Sequence, residues 1–106
     1  MAPTPQFSLT LTRQGDSTVV AVQGDLDISC EERWNAQIAE ACSSGAAKIQ
    51  IDLGLTTFID SSGLRLLIVA KNAADDAAIA LSLANIPLPV MRVFQLTGLL
   101  SQFETE

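Results

Sequence analysis

From Leu64 to Ala70 the chain reads LRLLIVA. Asp60 and Ser61, just ahead of it, carry helix-opening chemistry, so the spacing predicts a helix starting at Asp60 or Ser61 and running to about Asn72. Arg65 and Lys71 are almost its only polar positions before Asn72. A helix this apolar around its circumference cannot lie on a surface; it needs a core on one side and further cover on the other. The 106 residues suffice for one compact domain and leave no room for a second, so 1–106 is read as a single domain.

The rest of the chain supplies layers. In FSLTLTR, Phe7, Leu9 and Leu11 alternate with polar positions, the pattern of a half-buried edge strand. QGDS offers turn chemistry, and Thr18 to Gly24 follows as a β-branched apolar run expected to be covered on both faces; the two form a hairpin. A helix is expected next, capped by Ser29, with Glu31 and Glu32 at its positive end, Gly45 at its stop, and Cys30, Trp34, Ile38, Ala41 and Cys42 along one stripe anchored by Trp34. Lys48 to Leu53 reads as a third strand reached by a parallel crossover, with LTTFI as a loop after it. Ala78 to Asn85 is a fourth strand, then a helix opened by Pro87 or Pro89 and closed at Gly98, then a short strand from Ser101 to Glu104. The predicted class is α/β with α+β character: a mixed, mostly parallel sheet of four or five strands, an antiparallel first strand and helices packed on it, in the order β-β-α-β-α-β-α with a terminal β. Residues 1–6 and the final ETE read as loose.

Histidine is absent, which removes a histidine-activated serine nucleophile, a histidine general base and a histidine zinc site together. Cys30 and Cys42 stand twelve positions apart on one predicted helix, about 18 Å, beyond disulfide reach, and read as packing thiols. The six glycines stand singly, with no glycine-rich phosphate cradle, so no cofactor and no metal is expected. A net charge of −6 repels phosphate backbones and anionic bilayers, which argues against nucleic acid and membrane partners. No apolar run reaches the roughly 18 residues of a membrane span and MAPTPQ does not resemble a signal peptide, so a cytoplasmic location is expected.

Three constellations carry candidate chemistry. In DSSG, capping accounts for Asp60 and one oxygen, but Ser61, Ser62 and then Gly63 remain to be explained, because alanine at Gly63 would favour the helix by about 1 kcal/mol. A phosphate on Ser61 or Ser62 would bring about −1.5 to −2 charges to the positive end of the helix, a change the fold tolerates and a docked partner does not. In GDLD, Asp25 and Asp27 lie at the carboxyl end of the second strand. Paired-carboxylate catalysis and magnesium binding both need a pocket and further oxygen ligands, and a turn of solvated acids ahead of a helix is the simpler reading. Asp52, ending the third strand, suggests a phospho-accepting aspartate, but the hairpin opening does not suit a receiver fold and Asp52 is read as a loop acid.

The hairpin ending in GDLD, a strand ending in DL, then FIDSSGL and finally VMRVFQLTGL resemble, in that order, the STAS domain of bacterial anti-sigma factor antagonists. The resemblance covers nearly the whole chain. It implies a binding module that is not itself an enzyme. The unphosphorylated form would bind an anti-sigma factor that is also a serine kinase and so release the sigma factor; phosphorylation would end that binding, and a PP2C-type phosphatase would restore it. Position by position, the acceptor falls on Ser61, with Ser62 as the alternative, and the partner-facing set is Asp25, Asp27, Asp60, Ser62, Gly63 and Leu64. Family members continue into a further helix where this chain stops at Glu106; the sheet edge is then open or covered by a neighbour, a homodimer being one arrangement. A STAS scaffold subunit of a stress-signalling or lipid-transport complex, with a structural serine, is the alternative that the resemblance allows.

Overall fold

The computed structural model describes residues 7–106; the loose segment expected at 1–6 lies outside them. Strands β1 (Ser8–Gln14) and β2 (Ser17–Leu26) form the expected hairpin, with Ser8 opposite Gln23 and Gln14 opposite Ser17. A 3₁₀ turn (Ile28–Cys30) leads into α1 (Glu31–Cys42), followed by β3 (Lys48–Ile59), α2 (Ser61–Asp76), β4 (Ala80–Ala84), α3 (Leu88–Thr97), a second 3₁₀ turn (Leu99–Gln102) and β5 (Glu104–Thr105). The sheet order is β1-β2-β3-β4-β5; the first pair is antiparallel and the rest are parallel, as the sequence predicts.

Each parallel connection steps the same way across the sheet, and right-handed crossovers then put all three helices on one face. Burial follows. Along β2, Thr18, Val20, Val22, Gly24 and Leu26 are buried while Val19, Ala21 and Gln23 on the opposite face are not. This corrects the expectation that β2 is covered twice: its β-branched run reflects strand preference on an open face as well as burial.

Cover for α2 comes from the sheet and from α1, but not all round as expected: Val69 is 40% exposed, on the open side with Ser61 and Arg65. Gly63, Leu64, Leu66, Leu67, Ala70 and Ala74 are buried, and the fully buried Trp34 of α1 donates its indole Nε1–H to the Leu66 carbonyl at 2.7 Å. Trp34, Ile38 and Ala41 form the buried stripe of α1. The first turn of α2 sits directly on the end of β2: a methyl group added at Gly63 would lie 2.1 Å from the Leu26 carbonyl oxygen.

Other boundaries moved for local reasons. Asp27, not Ser29, is the cap; its carboxylate accepts the Ser29 N–H at 3.0 Å and begins the 3₁₀ turn, leaving α1 without a side-chain cap. The chain leaves α1 at Ser43, ahead of Gly45. Helix α2 continues past Asn72 through Ala73 and Ala74, good helix formers, with a Lys71–Asp75 ion pair of 2.9 Å one turn apart. Strand β4 is shorter than its apolar run because Ala78 and Asn85, on either side, take positive φ of 58° and 55°. Helix α3 opens after Pro87 and closes at Gly98, whose left-handed φ of 72° suits a residue without a side chain. Ser101 lies in the second 3₁₀ turn rather than in the last strand, and Phe103 packs edge-on against Phe94 with ring centres 5.7 Å apart. Among the described residues no helix is long and apolar enough to cross a membrane.

Candidate functional site

Strand β3 outruns β4. Their ladder ends where Asp52 faces Ala84, and from there β3 pairs with β2 alone. Two bulges interrupt that pairing. Between Ala21 and Gln23 of β2, and again between Gly24 and Asp25, β3 carries an extra residue, so that Gln23 faces Leu55, Gly24 faces Thr56 and Asp25 faces Phe58. Gly24 takes a φ of 95° at the second bulge, a conformation that glycine reaches at no steric cost. Alternation then fails: Leu53, Thr56 and Ile59 are buried, with two exposed residues between each pair. Leu55 and Phe58 are left 66% and 51% exposed. The loop expected at LTTFI is therefore the bulged end of a strand.

The last rung of the ladder, Leu26 against Ile59, brings the turn after β2 beside the start of α2. Asp60 is extended and its carboxylate accepts the Gly63 N–H at 2.9 Å, satisfying one of the open N–H groups of the helix start. Ser61 follows, exposed, while Ser62 is half-buried. On the neighbouring strand, Asp25 accepts the Thr57 hydroxyl at 2.7 Å. The Asp27 carboxyl is held below its ordinary range by hydrogen bonds from the Ser29 hydroxyl and N–H, and is ionised at neutral pH. Ile28 stands beside it, 57% exposed. One end of the sheet thus gathers an exposed serine hydroxyl at a helix start, the carboxylates of Asp25, Asp27 and Asp60, and the apolar side chains of Ile28 and Phe58, with Leu55 farther down β3.

Two of the expected partner-facing residues are buried within the domain. Leu64 is 3% exposed, on the core-facing side of α2 with Leu67. Gly63 is also buried; its missing side chain makes room for Leu26 within the domain, not for another protein. Asp52 is corrected as well: it lies within β3, where its carboxylate accepts the Gly54 N–H at 2.9 Å and the Asn85 side-chain amide at 3.2 Å, tying β3 to the end of β4. Cys30 is buried and its thiol donates to the Asp25 carbonyl at 3.2 Å, while Cys42 is half-buried; both are free thiols.

Ile28, Leu55 and Phe58 went unrecognised in the sequence. The signal was the β-prone composition of LTTFI, which the broken period concealed. Among the described residues, no group of acids, cysteines or histidines stands ready to hold a metal, and no side chain hydrogen-bonds to the Ser61 hydroxyl. That hydroxyl is an exposed group at a helix start.

Comparison with known proteins gives a consistent picture. A family model described as "Mlab, STAS domain" matches residues 9–101. BtrV of Bordetella bronchiseptica, which carries the name of an anti-sigma factor antagonist, is 26% identical over 97 residues, covering 92% of this chain and 84% of BtrV. The crystal structure of an anti-sigma factor antagonist from Mycobacterium paratuberculosis shares the fold, with a TM-score of 0.84 at 19% identity over 99% of this chain and 89% of that one. The Bacillus cell fate determinant SpoIIAA in its phosphorylated form is 28% identical with a TM-score of 0.67, covering 95% of this chain and 91% of the other.

Proposed function

The chain belongs to the STAS domain family, and from that premise we propose that it is an anti-sigma factor antagonist whose hold on its partner is switched by phosphate on Ser61. The observation that carries this reading is the exposed Ser61 hydroxyl at the start of α2, set beside the exposed Ile28 and Phe58. The partner is an anti-sigma factor serine kinase acting in the cytoplasm, which brings ATP and the catalytic base. Unphosphorylated, the protein docks through Phe58, Ile28 and the rim of Asp25, Asp27 and Asp60, and the sigma factor is released.

Phosphate on Ser61 adds about −1.5 to −2 charges. Within the domain that charge is tolerated, because it sits at the positive end of α2. Across the interface it is not. The phosphate would have to shed water under an apolar partner surface, next to Asp60 and close to the phosphates of the nucleotide that supplied it. A PP2C-type phosphatase returns the protein to its binding form. Ser62, half-buried in the first turn, is the less accessible hydroxyl.

The test is a mass measurement after incubation with the cognate kinase and ATP. The wild-type chain and Ser62→Ala are expected to gain one phosphate, about 80 Da, and Ser61→Ala none. Uptake by Ser61→Ala, or none by the wild type, contradicts the proposal.

A further inference from the structure

The reading of Ser61 as a phospho-acceptor leaves open what the phosphate touches within its own chain. We infer that Arg65 is its intramolecular partner, holding the modified side chain along α2; the inference rests on that reading of Ser61. Ser61 opens α2 and Arg65 lies four positions on, and both are exposed. Residues so spaced on a helix are neighbours, about 5–6 Å apart at Cβ. Helical side chains lean toward the N-terminus, which aims the Arg65 guanidinium back at the first turn. An anion placed N-terminal to a cation at this spacing is the favourable order, and the planar guanidinium matches phosphate oxygens two at a time.

Nothing has to be broken for this pair to form. Among the described residues the ion pair is Lys71–Asp75, and Arg65 shares in none. The surrounding charge gives Arg65 its importance. Asp60 caps α2, and Asp25 and Asp27 flank Leu26, whose carbonyl lies against Gly63 in the first turn, so a phosphate on Ser61 enters an acidic neighbourhood. On α2, Lys71 is a further six residues along and engaged with Asp75. Arg33 of α1 donates to the Phe7 carbonyl at 3.0 Å. Arg65 is the cation on α2 within reach, and it lets an acidic surface carry a phosphate. A phosphatase must detach the phosphate from Arg65 before removing it, so the residue also prolongs the phosphorylated state.

The test installs phosphoserine at position 61 during translation, with no kinase involved, and follows the phosphate by ³¹P NMR as pH is varied. Pairing favours the dianion, so the second ionisation in the wild-type chain is expected roughly 0.2–0.4 pH unit below that of Arg65→Gln at low salt. The gap should close near 1 M salt, and Arg65→Lys should keep part of it. Glutamine is a good helix former at an exposed position, and circular dichroism on both variants verifies the fold. Coincident midpoints at low salt in the wild type and Arg65→Gln overturn the role of Arg65 while leaving Ser61 as the acceptor. A kinase that fails to load Ser61 removes the reading beneath it and leaves the ion pair measurable.

Discussion

Alanine in place of Gly63 is expected to destabilise the domain by about 3 kcal/mol or more, whereas helix propensity alone predicts a gain of about 1 kcal/mol. The two effects differ in sign, so one urea titration decides between them. The added methyl would lie 2.1 Å from the Leu26 carbonyl oxygen, 3.0 Å from its carbon and 2.6 Å from Cγ1 of Ile59. Ile59 can change rotamer. The Leu26 carbonyl belongs to the backbone of β2, on the rung shared with Ile59, and cannot move aside without disturbing the last pairing of the sheet. The helix would lift from the strand and carry Asp60 and Ser61 with it, so partner binding should weaken along with stability. A more stable Gly63→Ala protein would show that α2 does not rest on β2 as described.

Trp34→Ala is the second large effect, expected at about 4 kcal/mol. Trp34 has no exposed surface and ties α1 to α2 through its 2.7 Å bond to the Leu66 carbonyl. Its removal empties an indole-sized volume between two helices and takes away the outer cover of the helix that presents Ser61. Domains of this size hold about 5–15 kcal/mol in all, so the variant should be marginal, with a Tm lower by roughly 15 °C or more. A loss under about 1 kcal/mol would show that α1 is a peripheral element and that α2 finds its cover elsewhere.

The sequence disclosed the parts of this molecule that rest on local chemistry. The period-two run of β1, the turn after it, the Pro87 and Gly98 ends of α3 and the Asp60 cap each depend on a few adjacent residues. The all-round apolarity of α2 demanded a second layer, and Trp34 supplies it. What stayed hidden rests on distant partners. The bulges of β3 exist only against β2, and they turn Leu55 and Phe58 outward by destroying the very alternation that reveals a strand. Asp27 and Ser29 are both good caps, and only the path of the chain out of β2 selects Asp27. Gly63 stayed unexplained by local helix chemistry; the contact that requires it is with Leu26, remote in sequence. So the acids and the serine of the site were legible as a motif, whereas its apolar floor at Ile28 and Phe58 was not.

The central claim is that charge on one exposed hydroxyl releases a docked partner and leaves the domain intact. It is tested most directly by titrating the cognate anti-sigma factor kinase, by calorimetry, with this chain unmodified and with phosphoserine installed at position 61. The affinity is expected to fall on the order of 100-fold, about 2.8 kcal/mol, with unchanged far-ultraviolet circular dichroism. Equal affinity for the two forms would contradict the account and make Ser61 a structural serine of a STAS scaffold.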